Sequence, residues 1–228
     1  ENWTDVPGIL AADPKIVKRP APIETLSNPE LQLLSAAGTQ VLHESAVAPV
    51  RERQIPLHIR STFAPDAPGT RIGFDAPASL SASGVIGFAG RRPVSMLRVI
   101  FPENTEETAL WEVRACLNEH RIETFHSACG VEGLCLLLSS GAEADALHAA
   151  AEQLRERFPD AKVKLRENLA VLLALCRSTK DIPKLSAAIE ASGAPVHHLV
   201  QTPPGAMFCV NDSQYEQALR AAYGAAFA

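Results

Sequence analysis

The side chains best suited to binding chemistry lie in the first fifteen residues of this 228-residue chain. Thr4 and Asp5 present a hydroxyl and a carboxylate next to each other, and Lys15 adds an ammonium group that can attract an anionic ligand. The turn-forming dipeptides Pro7-Gly8 and Asp13-Pro14 lie between them. Each of these features is also typical of an ordinary turn or cap, so their meaning depends on the later segments of the chain.

Other candidate chemistries lack the spacing that they need. His197 and His198 have no third ligand at helical or hairpin spacing, and His126 lies near two cysteines that lack the pair spacing of a zinc knuckle. No G-x-S-x-G sequence marks a nucleophile elbow. The five cysteines include no C-x-x-C pair and lie among apolar residues, which predicts reduced, packed thiols. We therefore predict no metal site and no catalytic nucleophile.

Two further segments come after the first in a recognisable order. Residues 3–15 read W-T-D-V-P-G-I-L-A-A-D-P-K, residues 38–43 read G-T-Q-V-L-H, and residues 60–70 read R-S-T-F-A-P-D-A-P-G-T. Together they resemble aspartate kinases, whose patterns run W-T-D-V-x-G with D-P-[RK], then G-A-K-V-L-H-P, then [RK]-[NS]-[TS]-F-x-P-x-x-P-G-T. The resemblance is specific over about the first seventy residues. Beyond them it rests on the order of strands and helices.

The resemblance implies nucleotide contacts for four residues. Thr4 and Asp5 correspond to the end of a strand where the family contacts the nucleotide, and Lys15 to a position near the phosphates. Val41 lies in the V-L-H segment that lines the adenine.

Several departures bear on activity. Leu10 stands where the family usually has Tyr, and Gln40 where it has Lys, so ATP binding should be weaker because a hydroxyl and a charge are missing. The family holds the polyphosphate with a K-x-G-G-[ST] loop, and this chain has no Gly-Gly pair. We therefore assign no catalytic residue. ATP and magnesium are expected in the full-length enzyme, with no cofactor bound tightly to this fragment.

The residue pattern predicts an α+β fold in several parts. Residues 1–72 are predicted to be the C-terminal remnant of an α/β amino-acid-kinase domain, and residues 73–92 a linker. Residues 93–166 and 167–228 each show the order βαββα of a ferredoxin-like unit. Two such units after the end of an aspartate kinase resemble ACT domains, which are regulatory modules that bind amino acids.

Periodicity gives the positions of the predicted elements. The helices cover residues 29–37, 44–53, 106–119, 142–158, 182–192 and 213–223, and the strands cover residues 56–62, 94–101, 122–127, 133–138, 161–165, 169–176, 196–200 and 206–210. In the fourth helix Leu147, Ala151 and Leu154 fall on one stripe that should face a sheet. Residues 169–175 are apolar on both faces, which predicts an interior strand or one covered by a partner. Trp111 is predicted to lie in the core.

The resemblance to ACT domains implies an amino-acid effector, with lysine and threonine as the candidates. The loops from strand to helix are the predicted sites, because a helix N-terminus offers unpaired N–H groups to a ligand carboxylate. The candidate residues are Glu103, Asn104 and Thr105 in the first loop and Ser178, Thr179 and Asp181 in the second. Neither loop matches the residues that regulated aspartate kinases usually carry there, so the two units could instead serve only to form a homodimer.

Charge and hydropathy limit the partners. A net charge of −5 disfavours nucleic acid, and no apolar run approaches the roughly 20 residues that cross a bilayer. The polar start lacks the features of a signal peptide, so a cytoplasmic protein is predicted, and the absence of an initial Met suggests a trimmed or truncated product.

Three functions remain open at this point. The first is the C-terminal part of an aspartate kinase, which converts ATP and L-aspartate to 4-phospho-L-aspartate at the start of lysine, threonine and methionine biosynthesis. The second is a non-catalytic module for amino-acid sensing or dimerisation. The third is another carboxylate or carbamate kinase of the same superfamily, which the V-L-H segment and the ACT-like tail disfavour.

Overall fold

The computed structural model describes residues 1–38, 49–50, 52–73, 84–102, 107–130, 133–139, 141, 143–202 and 204–227. The chain forms two compact units. Unit 1 combines Glu1–Arg91 with Val171–Ala228, and unit 2 is Arg92–Ala170. Unit 1 therefore contains the predicted kinase remnant together with most of the second predicted ferredoxin-like part, and unit 2 contains the first. The predicted domain limits at residues 72, 92 and 166 stay a prediction.

A mixed four-stranded sheet in unit 1 brings the first and third sequence segments together. Its strands are β1 (Asn2–Thr4), β2 (Thr25–Ser27), β3 (Leu57–Ser61) and β4 (Thr70–Gly73), in the order β1-β3-β4-β2. β1 runs parallel to β3, and β4 runs antiparallel to β3 and parallel to β2. The predicted strand at residues 56–62 is confirmed as β3. β4 was not predicted, because the Pro and Gly residues just before it are more typical of a loop.

Helix α1 (Asn28–Ala36) begins with a capping box. The Ser27 hydroxyl accepts a hydrogen bond from the backbone N–H of Glu30 at 3.4 Å, and the Glu30 carboxylate accepts one from the N–H of Ser27 at 2.7 Å. Pro29 occupies the first turn, where its missing N–H has no helical partner to lose. The prediction that Ser27 or Asn28 starts this helix is confirmed for Ser27. The helix predicted at residues 44–53 falls mostly outside the described residues.

The later elements confirm the predicted order β-α-β-β-α, which occurs twice. They are β5 (Val85–Ile100), α2 (Glu107–Glu119), β6 (Thr124–Gly130), β7 (Gly133–Leu138), α3 (Ala144–Arg157), β8 (Lys162–Cys176), α4 (Ile182–Ala191), β9 (His198–Thr202), β10 (Gly205–Asn211) and α5 (Tyr215–Phe227). In unit 2, β7 pairs antiparallel with both β5 and β6. In unit 1, β9 pairs antiparallel with β10.

Two strands are longer than the sequence predicted. β5 begins at Val85 rather than at residue 94, and β8 is continuous where two strands were expected. The expected break lay at a polar stretch around Asn168, which has a positive φ of 55° inside the strand. The chain therefore departs locally from extended geometry at Asn168, but the strand continues beyond it.

The predicted core positions are largely confirmed. Leu147, Ala151 and Leu154 of α3 are buried in one hydrophobic cluster with residues of α2 and the strands of unit 2. Residues 169–175 of β8 are at most 1% exposed, and β8 lies between β5 and β10 in the hydrogen-bonded strand order. The prediction of an interior strand is therefore confirmed.

Two predictions about burial were wrong. Trp111 is 65% exposed, because Val113 and Leu117 face the core from α2 and Trp111 lies on a different face of that helix. Cys129 is exposed near the end of β6, whereas the other four cysteines are buried.

Burial raises the pKa of Cys116 and Cys135, and it raises the pKa of Cys176 to about 12. These three thiols are therefore packed apolar groups and not nucleophiles.

Within the described residues, no helix is both long enough and apolar enough to span a bilayer.

Candidate functional site

Thr4 and Asp5 lie where β1 ends. The backbone N–H and the hydroxyl of Thr62 both donate to the Thr4 carbonyl, at 2.8 and 3.1 Å, so the end of β1 is held against the residue just after β3. The Thr4 hydroxyl donates to the Asp5 carboxylate at 3.1 Å, and Asp5 is exposed. A fixed backbone therefore presents a solvent-accessible carboxylate at this strand end.

Arg60 of β3 fastens the start of the chain to the sheet. Its guanidinium lies 4.7 Å from the centre of the Trp3 ring and pairs with Glu1 at 3.2 Å, and it also donates to the Pro65 carbonyl. The hydrogen bond from Arg60 holds the pKa of the Glu1 carboxyl below its usual range. The Arg of the third segment therefore has a structural role, which is to cover and orient β1.

The first and third segments meet at the side chain of Thr70, which is fully buried. Its hydroxyl accepts a hydrogen bond from the N–H of Ile9 at 2.8 Å and donates one to the carbonyl of Ile23 at 2.6 Å. Gly8 has a φ of +126°, and a Cβ added there would lie 2.7 Å from the Thr70 hydroxyl oxygen. The Gly of W-T-D-V-x-G and the Thr of P-G-T are therefore two sides of one contact.

We expect Thr70→Val to lower the free energy of unfolding by about 2 kcal/mol, because it leaves a buried N–H and a buried carbonyl unpaired while keeping the side-chain shape. Thr62→Val is the matched control, since the Thr4 carbonyl keeps its bond from the Thr62 N–H and the expected change is below about 0.5 kcal/mol. Urea denaturation of both variants makes the comparison. Equal losses in the two would show that the Thr70 hydroxyl has no special structural role.

Residues 9–23, named here the 9–23 loop, carry Lys15 at a tight turn. The ends of the loop pair through bonds from the N–H of Ile23 to the carbonyl of Ile9 and from the N–H of Ala11 to the carbonyl of Ala21, each 2.8 Å long. At the tip, the Asp13 carboxylate accepts from the N–H of Lys15 at 2.8 Å. The turn predicted at Asp13-Pro14 is confirmed.

The side chain of Lys15 is exposed, and within the described part of the chain no carboxylate pairs with it. Its ammonium group is thus available to an anionic ligand. Leu10 sits in the stem, opposite Pro22 in an isolated antiparallel bridge.

Several predicted site residues lie outside the described residues, namely Val41, Glu103, Asn104 and Thr105, together with the departure at Gln40. Ser178, Thr179 and Asp181 are described, and they form a short 3-10 turn between β8 and α4. The Ser178 hydroxyl accepts from the N–H of Lys180 at 3.3 Å. The Asp181 carboxylate faces Gly84, where an added Cβ would lie 3.1 Å from one of its oxygens. The polar groups of Ser178 and Asp181 therefore already make contacts within the protein.

A partly buried ion pair joins this turn to helix α1. Arg177 donates from Nε to Glu30 Oε1 at 2.7 Å and from Nη2 to Oε2 at 3.1 Å, a two-point contact between side chains that are 18% and 5% exposed. Burial alone would raise the pKa of the Glu30 carboxyl, but the hydrogen bonds from Arg177 and Ser27 outweigh it and the pKa is lowered. The hydrogen bond between Arg177 and Glu30 also raises the pKa of Arg177.

The sequence did not predict that the Thr70 side chain joins the first and third segments, nor that Glu30 pairs with Arg177. Thr70 stood in a quoted motif, so the signal was present without its structural meaning. Glu30 and Arg177 are 147 positions apart and carried no local signal beyond the capping box at Ser27. Among the residues that the structure describes, no group of three His, Cys, Asp or Glu side chains could hold a metal ion.

Comparisons by sequence and by structure both match this chain to aspartate kinases. Residues 1–61 match the model of the amino acid kinase family. Aspartokinase 3 of Bacillus subtilis is 24% identical over 236 aligned positions, which cover 100% of this chain and 52% of that protein. Aspartate kinase of Clostridium acetobutylicum superposes with a TM-score of 0.85 at 26% identity, over 99% of this chain and 53% of that chain.

The fold is shared with a third protein. Aspartokinase III of E. coli, solved with aspartate and ADP in its R-state, superposes with a TM-score of 0.78 at 20% identity, over 99% of this chain and 52% of that one. The same enzyme has also been solved with lysine and aspartate in its T-state. The chain thus spans about half the length of these relatives. The predicted α+β fold is confirmed, and the chain aligns over its length with the C-terminal regulatory part of aspartate kinases.

Proposed function

We propose that this chain is the C-terminal part of an enzyme that phosphorylates the side-chain carboxylate of L-aspartate, with MgATP as the phosphoryl donor. The observation that carries the proposal is the contact at Thr70, which ties the two most specific motif segments into one folded structure. Segments that resembled the family only by chance would have no reason to meet. The alignment with aspartate kinases over the whole chain supports the same conclusion.

Within this proposal the chain supplies the nucleoside and outer-phosphate side of the site. Asp5 and Lys15 are exposed polar groups held by a fixed strand end and a fixed turn, with Thr4 orienting Asp5 through its hydroxyl. Lys15 attracts the polyphosphate, since an ammonium group binds phosphate as a point charge. Val41 is proposed to line the adenine, on the resemblance of the V-L-H segment alone. The segment that holds the transferred phosphoryl group lies elsewhere in the protein, as the missing Gly-Gly pair indicates.

The tandem ferredoxin-like parts are proposed to regulate the enzyme and to form a cytoplasmic homodimer. Lysine is the first effector to test, because E. coli aspartokinase III has been solved with lysine bound, and threonine is the second. Glu103, Asn104 and Thr105 form one candidate site, and Ser178, Thr179 and Asp181 the other. In the second site the Ser178 hydroxyl already caps its turn, and the neighbouring Arg177 is held by Glu30.

The test compares Lys15→Met with Lys18→Met in the full-length product of the reading frame that contains this chain. Removing the Lys15 charge should raise the KM for ATP about tenfold and leave the KM for aspartate unchanged, because one charge-assisted contact to phosphate is lost. Lys18 is also exposed and lies outside the proposed site, so its variant should retain the KM for ATP. The isolated chain with ATP and aspartate should release no ADP.

One observation favours a second function, a non-catalytic sensing or dimerisation module. Leu10 and Gln40 replace two groups that help the family hold ATP. If the full-length product binds lysine or threonine by calorimetry but neither binds nor consumes ATP, the module is the correct function. If the isolated chain itself turns over ATP, the assignment of the phosphate-binding half to another segment is wrong.

A further inference from the structure

The last helix of the chain contacts the 9–23 loop at two points. The hydroxyl of Tyr223 accepts a hydrogen bond from the backbone N–H of Ala21 at 2.9 Å. Nε of Arg220 donates to the carbonyl of Ile16 at 3.1 Å. Tyr223 and Arg220 are three positions apart on α5, so they lie on the same face of that helix. One face of α5 therefore contacts the loop both at its paired ends and at its tip. The contact at the tip is made to Ile16, which directly follows Lys15.

Tyr223 packs against two other aromatic rings. Its ring stacks on Phe227 with 4.6 Å between ring centres and 20° between planes, and it lies 6.4 Å from the ring of Phe88. Phe88 in turn donates from its N–H to the Ala11 carbonyl at 2.7 Å. Both β5 and α5 therefore contact the paired ends of the 9–23 loop. β5 does so through the carbonyl of Ala11, and α5 does so through the N–H of Ala21.

Arg220 makes a second contact within its own helix. Nη2 of Arg220 pairs with Glu216 at 2.9 Å in an i,i+4 arrangement, while Nε donates to the carbonyl of Ile16. Mutation can separate the two contacts of the guanidinium, because Glu216 takes part only in the contact with Nη2. This makes Glu216 a natural control for Arg220.

We infer that Tyr223 and Arg220 are positioning residues for the nucleotide site, which set the place of Lys15 through the 9–23 loop. This inference rests on the proposed function. It assigns to the C-terminal helix, which the sequence places in a regulatory part, a direct effect on the affinity for ATP. Neither residue touches the nucleotide in this arrangement. Their effect passes through the backbone of Ala21 and Ile16.

The decisive variant is Tyr223→Phe, which removes only the hydroxyl and retains the stacked ring. Tyr215→Phe is its matched control, because the Tyr215 hydroxyl lies on the same helix but against Gly90 of β5. Arg220→Met and Glu216→Gln form the second pair. Two readouts apply to each variant: amide hydrogen exchange across residues 11–23, and the KM values for ATP and for aspartate in the full-length protein.

Loss of the Tyr223 hydroxyl should speed exchange at Ala21 and its neighbours in the loop about fivefold and raise the KM for ATP by a similar factor, the effect of one ordinary hydrogen bond. The KM for aspartate should not change, and neither control should affect either readout. Arg220→Met should act in the same direction as Tyr223→Phe, whereas a general loss of stability would lower Vmax through the amount of folded enzyme and would not selectively raise the KM for ATP.

The two ways of failing are distinct. Unchanged exchange in Tyr223→Phe overturns the inference and leaves the proposed function intact. Faster exchange without any change in the KM for ATP shows that the loop is positioned but is not a nucleotide site, and this result contradicts the placing of Lys15 in the proposed function as well.

Discussion

Gly69→Ala is expected to lower the free energy of unfolding by about 4 kcal/mol, the combined cost of a strained backbone and an overpacked site. Gly69 has a φ of +67°, where an L side chain is disfavoured, and a Cβ added there would lie 2.1 Å from the carbonyl oxygen of Ile59 in β3. That oxygen belongs to the backbone of a central strand, so it cannot move aside without disturbing the sheet. Chemical denaturation of the chain measures the loss.

Gly73→Ala provides the comparison for Gly69→Ala. Gly73 ends β4, only four positions further on, and an added Cβ there meets none of the described residues within 4 Å. Its variant should remain within about 0.5 kcal/mol of the parent chain. A small loss at Gly69 would mean that β3 can yield, and the account of the P-G-T turn as a close backbone contact would then be wrong.

Glu30→Ala is expected to cost about 3 to 5 kcal/mol, the usual effect of removing one partner from a buried ion pair. The substitution leaves the guanidinium of Arg177, which is 18% exposed, without its two-point partner. It also removes the carboxylate that accepts from the N–H of Ser27 at the start of α1. Glu216→Ala breaks an exposed i,i+4 pair and should cost no more than about 0.5 kcal/mol.

The pH dependence of stability provides a second measurement on Glu30. Its pKa is lowered in the folded chain, so the unfolded chain binds the proton more readily. The contribution of Glu30 is therefore complete above its unfolded pKa of about 4.3 and is lost as the pH falls through the lower, folded pKa.

Unfolding measured between about pH 6 and pH 3 should show the parent chain losing stability more steeply than Glu30→Gln, which has no carboxyl to titrate. Parallel curves would contradict the assigned direction of the shift.

The sequence predicted most elements because their signals are local. β7 was predicted at the same residues that it occupies, and α3 was predicted from the stripe that contains Leu147 and Leu154. Trp111 shows the limit of this reasoning. An aromatic residue next to buried positions is commonly buried too, but the rotation of one residue along a helix places it on another face.

The candidate site could be predicted only in part, because its residues are positioned by contacts between distant segments. Thr4, Asp5 and Lys15 were named from motif resemblance, whereas the groups that hold them are not visible in any local pattern. The hydrogen bond from Ala21 to Tyr223 joins residues 202 positions apart, and that from Thr70 to Ile23 joins residues 47 apart. Periodicity and capping rules carry no information at such separations.

β5 and β8 each continue from one compact unit into the other without a loop between them. Grafting the Arg92–Ala170 unit onto a different enzyme would therefore require two cuts through regular strands, and each cut would expose a row of unsatisfied backbone groups. Recombination between genes meets the same obstacle. The Arg92–Ala170 unit is accordingly not suited to being exchanged as a separate module.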